Sequence, residues 1–94
     1  MKTVLVSIIL AVANLLSGPL KAGAQGLAMV IAQVNLPDGD AKWTQVGDLI
    51  AEALRDMAAA RDLDADTAMQ VRMAAERRVH LQLREMGLLD RSEA

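Results

Sequence analysis

Residues 41–61, Ala-Lys-Trp-Thr-Gln-Val-Gly-Asp-Leu-Ile-Ala-Glu-Ala-Leu-Arg-Asp-Met-Ala-Ala-Ala-Arg, decide the fold. Within them Trp43, Val46, Ile50, Ala53, Met57 and Ala60 recur at alternating steps of three and four. That rhythm lays one apolar stripe along an α-helix. Leu49 and Leu54 widen the stripe, while Asp48, Glu52 and Arg55 fall on the far side. Gly47 interrupts the run at a cost of about 1 kcal/mol against alanine, so a start at Asp48 competes with one near Ala41. Asp40 stands where it can cap this helix.

Continuing forward, Asp62-Leu63-Asp64-Ala65-Asp66-Thr67 is rich in side chains that favour caps over helix interiors. Thr67 and Gln70 have capping-box spacing, which predicts a second helix from 67. Along it Ala68, Val71, Ala75, Val79, Leu83 and Met86 share a face, and Gly87 is placed to stop it. Arg84 near that end suits the helix dipole. The short junction predicts antiparallel neighbours. Closure around Asp64 sets Trp43 opposite Met86, Val46 opposite Leu83, Ile50 opposite Val79, Ala53 opposite Ala75, Met57 opposite Val71 and Ala60 opposite Ala68. The expected fold is all-α: an antiparallel helical hairpin over about 41–61 and 67–86, preceded by an apolar N-terminal helix.

Backward from residue 41 the character changes. Leu36-Pro37-Asp38-Gly39-Asp40 is a turn-rich separator, and from Thr3 to Leu36 the only charged side chain is Lys21. Beyond Ala41 there are eight basic and ten acidic side chains. Met1 and Lys2 begin the chain, Thr3 to Leu16 is uncharged and largely apolar, Ser17-Gly18-Pro19 breaks it, and Ala22-Gly23-Ala24 follows. In order and length this stretch resembles a bacterial Sec signal peptide, which implies cleavage after Ala24 and a periplasmic or secreted product. Two other readings stand beside it. In one, residues 1–24 remain as a membrane segment in the inner membrane, with 3–36 as an apolar hairpin and the charged helices docking in a membrane complex. In the other, the front is a core helix of a soluble fold. The expected divisions are 1–24, signal or retained segment; 25–40, apolar segment and turn; and 41–94, helical hairpin module. Residues 25–36 fit both a helix, through Leu27, Ile31 and Val34, and a strand, through the alternation at Val30, Ala32, Val34 and Leu36.

Chemistry is sparse in this composition. There is no cysteine, Tyr or Phe and a single Trp among 94 residues. Disulfide scaffolds, thiolate metal sites, cysteine nucleophiles and aromatic stacking platforms for nucleic acid are thereby excluded. The formal net charge of -2 offers no pull on phosphate backbones, so nucleic acid is not an expected partner. Val34-Asn35-Leu36-Pro37-Asp38 ahead of a helix looks like the entry of ribbon-helix-helix repressors, but the long first helix and acidic junction depart from that family.

His80 lies between Glu76 and Arg84, one turn away on either side, without a nucleophile or second histidine. It reads as a polar-face residue rather than a general acid or base. Asp48, Glu52 and Asp56 read as a solvated acidic face. Asp62, Asp64 and Asp66 resemble the opening of a calcium loop, yet the following positions lack its glycine and its closing glutamate. Met69, Met73 and His80 supply a third reading, a periplasmic metal-handling protein. No enzyme activity, cofactor or resident metal is expected.

Two helices bury too few large side chains to offset the ordering of their own backbone. The stripe therefore needs a cover: residues 27–36 folding back, a second copy, or a membrane or protein partner. Leu49, Leu54, Met69, Met73 and Leu81 outside the main stripe favour self-association. The expected interaction face is Trp43, Val46, Ile50, Ala53 and Met57 with Val71, Ala75, Val79, Leu83 and Met86. The expected function is a non-enzymatic binding or assembly module forming a homo-oligomer or engaging a protein partner.

Overall fold

The apolar front of the chain forms two helices rather than one. In the computed structural model, which describes residues 1–89, α1 spans Lys2–Ala13 and α2 spans Gly18–Ala32. Ser17 is extended and Gly18 has φ +59, which turns the chain back. Pro19 then falls in the first turn of α2, where its missing N–H costs no helix bond. The Lys2 ammonium donates to the Ala32 carbonyl at 3.2 Å. The first residue of α1 thus meets the last of α2, and the two are antiparallel.

After a nine-residue connection, α3 covers Lys42–Ala59 and α4 covers Ala65–Glu85. These are the expected hairpin helices, and the all-α expectation holds: the described residues contain no strand. α3 passes through Gly47 and starts at Lys42, helped by the Asp40 carboxylate, which accepts from the Lys42 N–H at 2.9 Å. The start of α4 differs from the capping box read at Thr67. Asp64 is the cap: its carboxylate accepts from the Thr67 backbone N–H at 3.1 Å and from the Thr67 hydroxyl at 2.7 Å. The helix starts at Ala65, so Thr67 is its third residue and a donor to the cap, whereas Asp64 flanks the start with an acceptor carboxylate aimed at the free N–H groups. Those bonds, the hydroxyl's first, hold the Asp64 carboxyl below the usual carboxylate range. At the other end Gly87, with φ +76, ends α4 as expected. Residues 90–94, the last of the expected 41–94 module, lie outside the described residues.

α2 is the hub, packing on α1, α3 and α4, while α1 has no contact with α4. A Cβ on Gly23 would lie 2.7 Å from Arg72 Cγ, and one on Gly26 would lie 3.5 Å from Glu76 Oε2. Both positions advance together along their helices, so α2 and α4 run parallel. Small residues on α2 let the stem of Arg72 cross close to the backbone while its Nε pairs with Glu76 at 3.3 Å. Between α3 and α4, Arg78 donates to Asp56 at 2.8 Å. In the register set out above, Asp56 stands opposite about position 72. Side chains lean toward their own helix N-terminus, so in an antiparallel pair these two converge across the offset.

The core draws on every helix: Ile9, Leu27, Ile31, Val46, Ile50, Met57, Val79 and Leu83 are at most 1 % exposed. Val34 and Leu36 in the connection are buried as well. The Trp43 indole N–H donates to the Pro37 carbonyl at 2.7 Å, tying that connection to the start of α3. No described helix is long and apolar enough to cross a membrane.

Candidate docking surface

The stripe expected to meet a partner is occupied from within the chain. Trp43, Val46, Ile50, Ala53, Met57, Ala75, Val79 and Leu83 are buried in the common core, and Val71 and Met86 are half-buried against it. The physical reason is α2, which brings Leu27, Ala28 and Ile31 into the same cluster. Within the chain this set is internal, and its cover is supplied by α2, which includes part of residues 27–36. The residues outside the main stripe that favour self-association divide: Leu54 is buried and Leu49 half-buried, whereas Met69, Met73 and Leu81 are exposed on α4. Arg77 is exposed on the same row between Met73 and Leu81, so they form no continuous apolar strip.

A continuous strip runs along α1 from the residue before it to Leu15, in the turn that follows its end. Met1, Val4, Ile8, Ala11 and Leu15 are all exposed and follow one another at steps of three, four, three and four. Val4 is 57 % exposed, Ile8 50 % and Leu15 74 %. The opposite side of α1 buries Ile9 and Ala13, so the helix is apolar both inward and outward. By helical phase, half-buried Leu5 and Val12 border the outer strip on one side, and exposed Thr3, Ser7 and Asn14 border it on the other. None of these border side chains is charged.

Beyond that polar border lies a shallow groove of about 430 Å³ between α1 and α2, lined by Val6, Leu10, Gln25, Ala28, Met29 and Ala32. Gln25 is its sole polar side chain, too little to orient a ligand through convergent polar groups.

The other candidates are structural or scattered. Glu76 faces Arg72, and Asp56, at the end of the acidic row with Asp48 and Glu52, engages Arg78. His80 is half-buried on α4. Met73 and His80 share that uninterrupted helix two turns apart, roughly 10 Å along its axis, and Met69 lies a further turn away. One ion cannot be held by all three. Asp62, Asp64 and Asp66 belong to the entry of α4, with Asp64 as cap and Asp66 in the first turn. Among the described residues no three His, Cys, Asp or Glu side chains converge as a metal site.

Sequence reasoning missed the α1 strip. Its signal was the same three-four spacing used for residues 43–60, hidden because every position around it is also apolar or uncharged. No family model, curated protein or solved structure matches the chain.

Proposed function

We propose that the chain is a small non-enzymatic binding module that works with residues 1–24 in place and docks through the outer strip of α1. The observation that carries this reading is the half to three-quarters exposure of Val4, Ile8 and Leu15 on one uncharged row. A helix apolar on both sides has a second surface to cover, and contiguous exposed apolar patches mark sites of association. Retention of the front is supported by its share of the core, since Ile9, Ala13, Leu16, Leu20 and Ala24 are all buried. The reading as a binding module rather than a catalyst is supported by the engagement of Glu76 with Arg72, one turn from His80.

A photoreactive residue at position 8 tests the docking surface. It is expected to give an adduct in the native cell, while the same group at Glu52, exposed among charges on α3, gives none. No adduct at position 8 would reject the surface.

Export is the second reading, favoured by the charged, apolar and small-residue order of Met1 to Ala24. In the folded chain Ala24 is 0 % exposed inside α2, so processing would have to precede formation of that helix. Intact mass of the protein from its native cell separates the two. A chain starting at Met1 supports retention, and one starting at Gln25 supports export.

A further inference from the structure

Resting on the docking reading above, we infer that the occupant of the α1 strip is α1 of a second copy, packed antiparallel about a two-fold axis near Ile8. The spacing is the first reason. Met1, Val4, Ile8, Ala11 and Leu15 carry the alternating three-four steps of a helix–helix seam. The chain contains an internal precedent: Trp43, Val46, Ile50, Ala53, Met57 and Ala60 have the same steps and are all buried in a helical core. A helix is therefore the shape that fits.

Charge is the second reason. α1 has no ionic side chain after Lys2, so its strip neither repels its own image nor needs a partner of opposite sign. A lipid surface is a poorer match, because interfacial helices grip it with Lys and Arg along a polar face. Here the polar border is Thr3, Ser7 and Asn14, the Lys2 ammonium is engaged by the Ala32 carbonyl, and the N-terminal ammonium lies 3.3 Å from Asp38.

The third reason is symmetry. Reversing the strip about its middle places Met1 against Leu15, Val4 against Ala11 and Ile8 against Ile8. Large then meets large at the ends, and a small residue beside each valine allows close approach. An isologous contact of this kind closes on itself as a dimer. Thr3, Ser7 and Asn14 supply its polar rim.

Sedimentation velocity of the full chain over a concentration series tests this, with flotation on phosphatidylcholine vesicles in parallel. The wild type is expected to sediment as a dimer in equilibrium with monomer and not to float. Ile8→Glu apposes two carboxylates and should weaken dimerisation ~100-fold or more. Because Ile8 is half exposed, its far-UV circular dichroism should match the wild type. Ile8→Lys should be equally monomeric, and mixing it with Ile8→Glu should restore a dimer of one of each. If Ile8→Glu disturbs the fold, Ala11→Glu, also exposed, takes its place. A wild-type dimer indifferent to these charges would overturn the inference. So would a monomer that floats, which leaves the docking surface standing with lipid as its occupant. A monomer that neither floats nor gives an adduct at position 8 overturns both.

Discussion

Helices α3 and α4 segregate their chemistry: the apolar stripe turns inward, and Asp48, Glu52, Arg55, Arg77 and Arg84 face water. α1 does not. It buries Ile9 and Ala13 on one side and presents Val4 and Ile8 on the other, with Leu15 continuing that row in the turn that follows. The difference teaches where further association belongs. The rear pair leaves outside only Met69, Met73 and Leu81 among its large apolar side chains, a row interrupted by Arg77, whereas the front helix carries an unbroken apolar row on its outer side.

The strongest way to break this comparison is through α2, the cover over the rear stripe. Ile31 is 0 % exposed, and Ile31→Asp would bury an unpaired carboxylate there. We expect a loss exceeding about 4 kcal/mol and unfolding of all four helices together. Retention of α3 and α4 as a folded pair, seen by circular dichroism and urea titration, would show that the rear needs no cover.

Next in size is a matched pair of truncations. Met57 is 0 % exposed, and Met57→Ala is expected to cost about 2–5 kcal/mol in urea unfolding. Leu15→Ala, at a site 74 % exposed, should stay within about 0.5 kcal/mol of wild type in the monomer. A large cost at Leu15 at concentrations where the chain is monomeric would mean that the front strip is part of the core.

Two glycines sharpen the contrast further. Gly47 in α3 has nothing within 4 Å of an added Cβ, so Gly47→Ala should raise stability by about 0.5–1 kcal/mol. Gly23 in α2 has Arg72 Cγ at 2.7 Å, so Gly23→Ala gains the same helix propensity but displaces Arg72 from Glu76. A net loss of about 1 kcal/mol is expected in thermal unfolding.

The smallest effect concerns pH at the entry of α4. The Asp64 carboxyl is depressed below its ordinary value of 3.8 by bonds from Thr67. A depressed acid stabilises the fold fully above its unfolded pKa and loses that contribution as pH falls through its folded pKa. Unfolding midpoints should therefore drop slightly as pH is lowered below about 4, and Asp64→Asn should blunt that slope. An unchanged slope in the variant would assign the acid response to other carboxylates.

The rear hairpin was legible because polar residues fix the phase of its stripe. Asp48, Glu52 and Arg55 say which side of α3 is out, so the spacing of Val46, Ile50 and Met57 identifies the side that is in. The front lacks that contrast. With Lys21 the only charge from Thr3 to Leu36, the sequence offers no marker of which face is buried, so its pattern did not show that the stretch packs as two helices. The break at Ser17-Gly18-Pro19 was visible, and in the folded chain it separates two helices that both contribute to the core. The cap at Asp64 was obscured by competing acids at 62 and 66, since several side chains there could accept the same free N–H groups. The close approach at Gly23 depends on a partner some fifty positions later, which no local pattern encodes.

One bond described above gives the molecule an optical gauge. Trp43 is its sole tryptophan, and its indole is anchored to the carbonyl of Pro37, on the strap joining front to rear. Indole fluorescence consequently reports the seating of that strap, rather than an average over the molecule. Its emission should shift red when the strap peels away, even while far-UV signals still register intact helices.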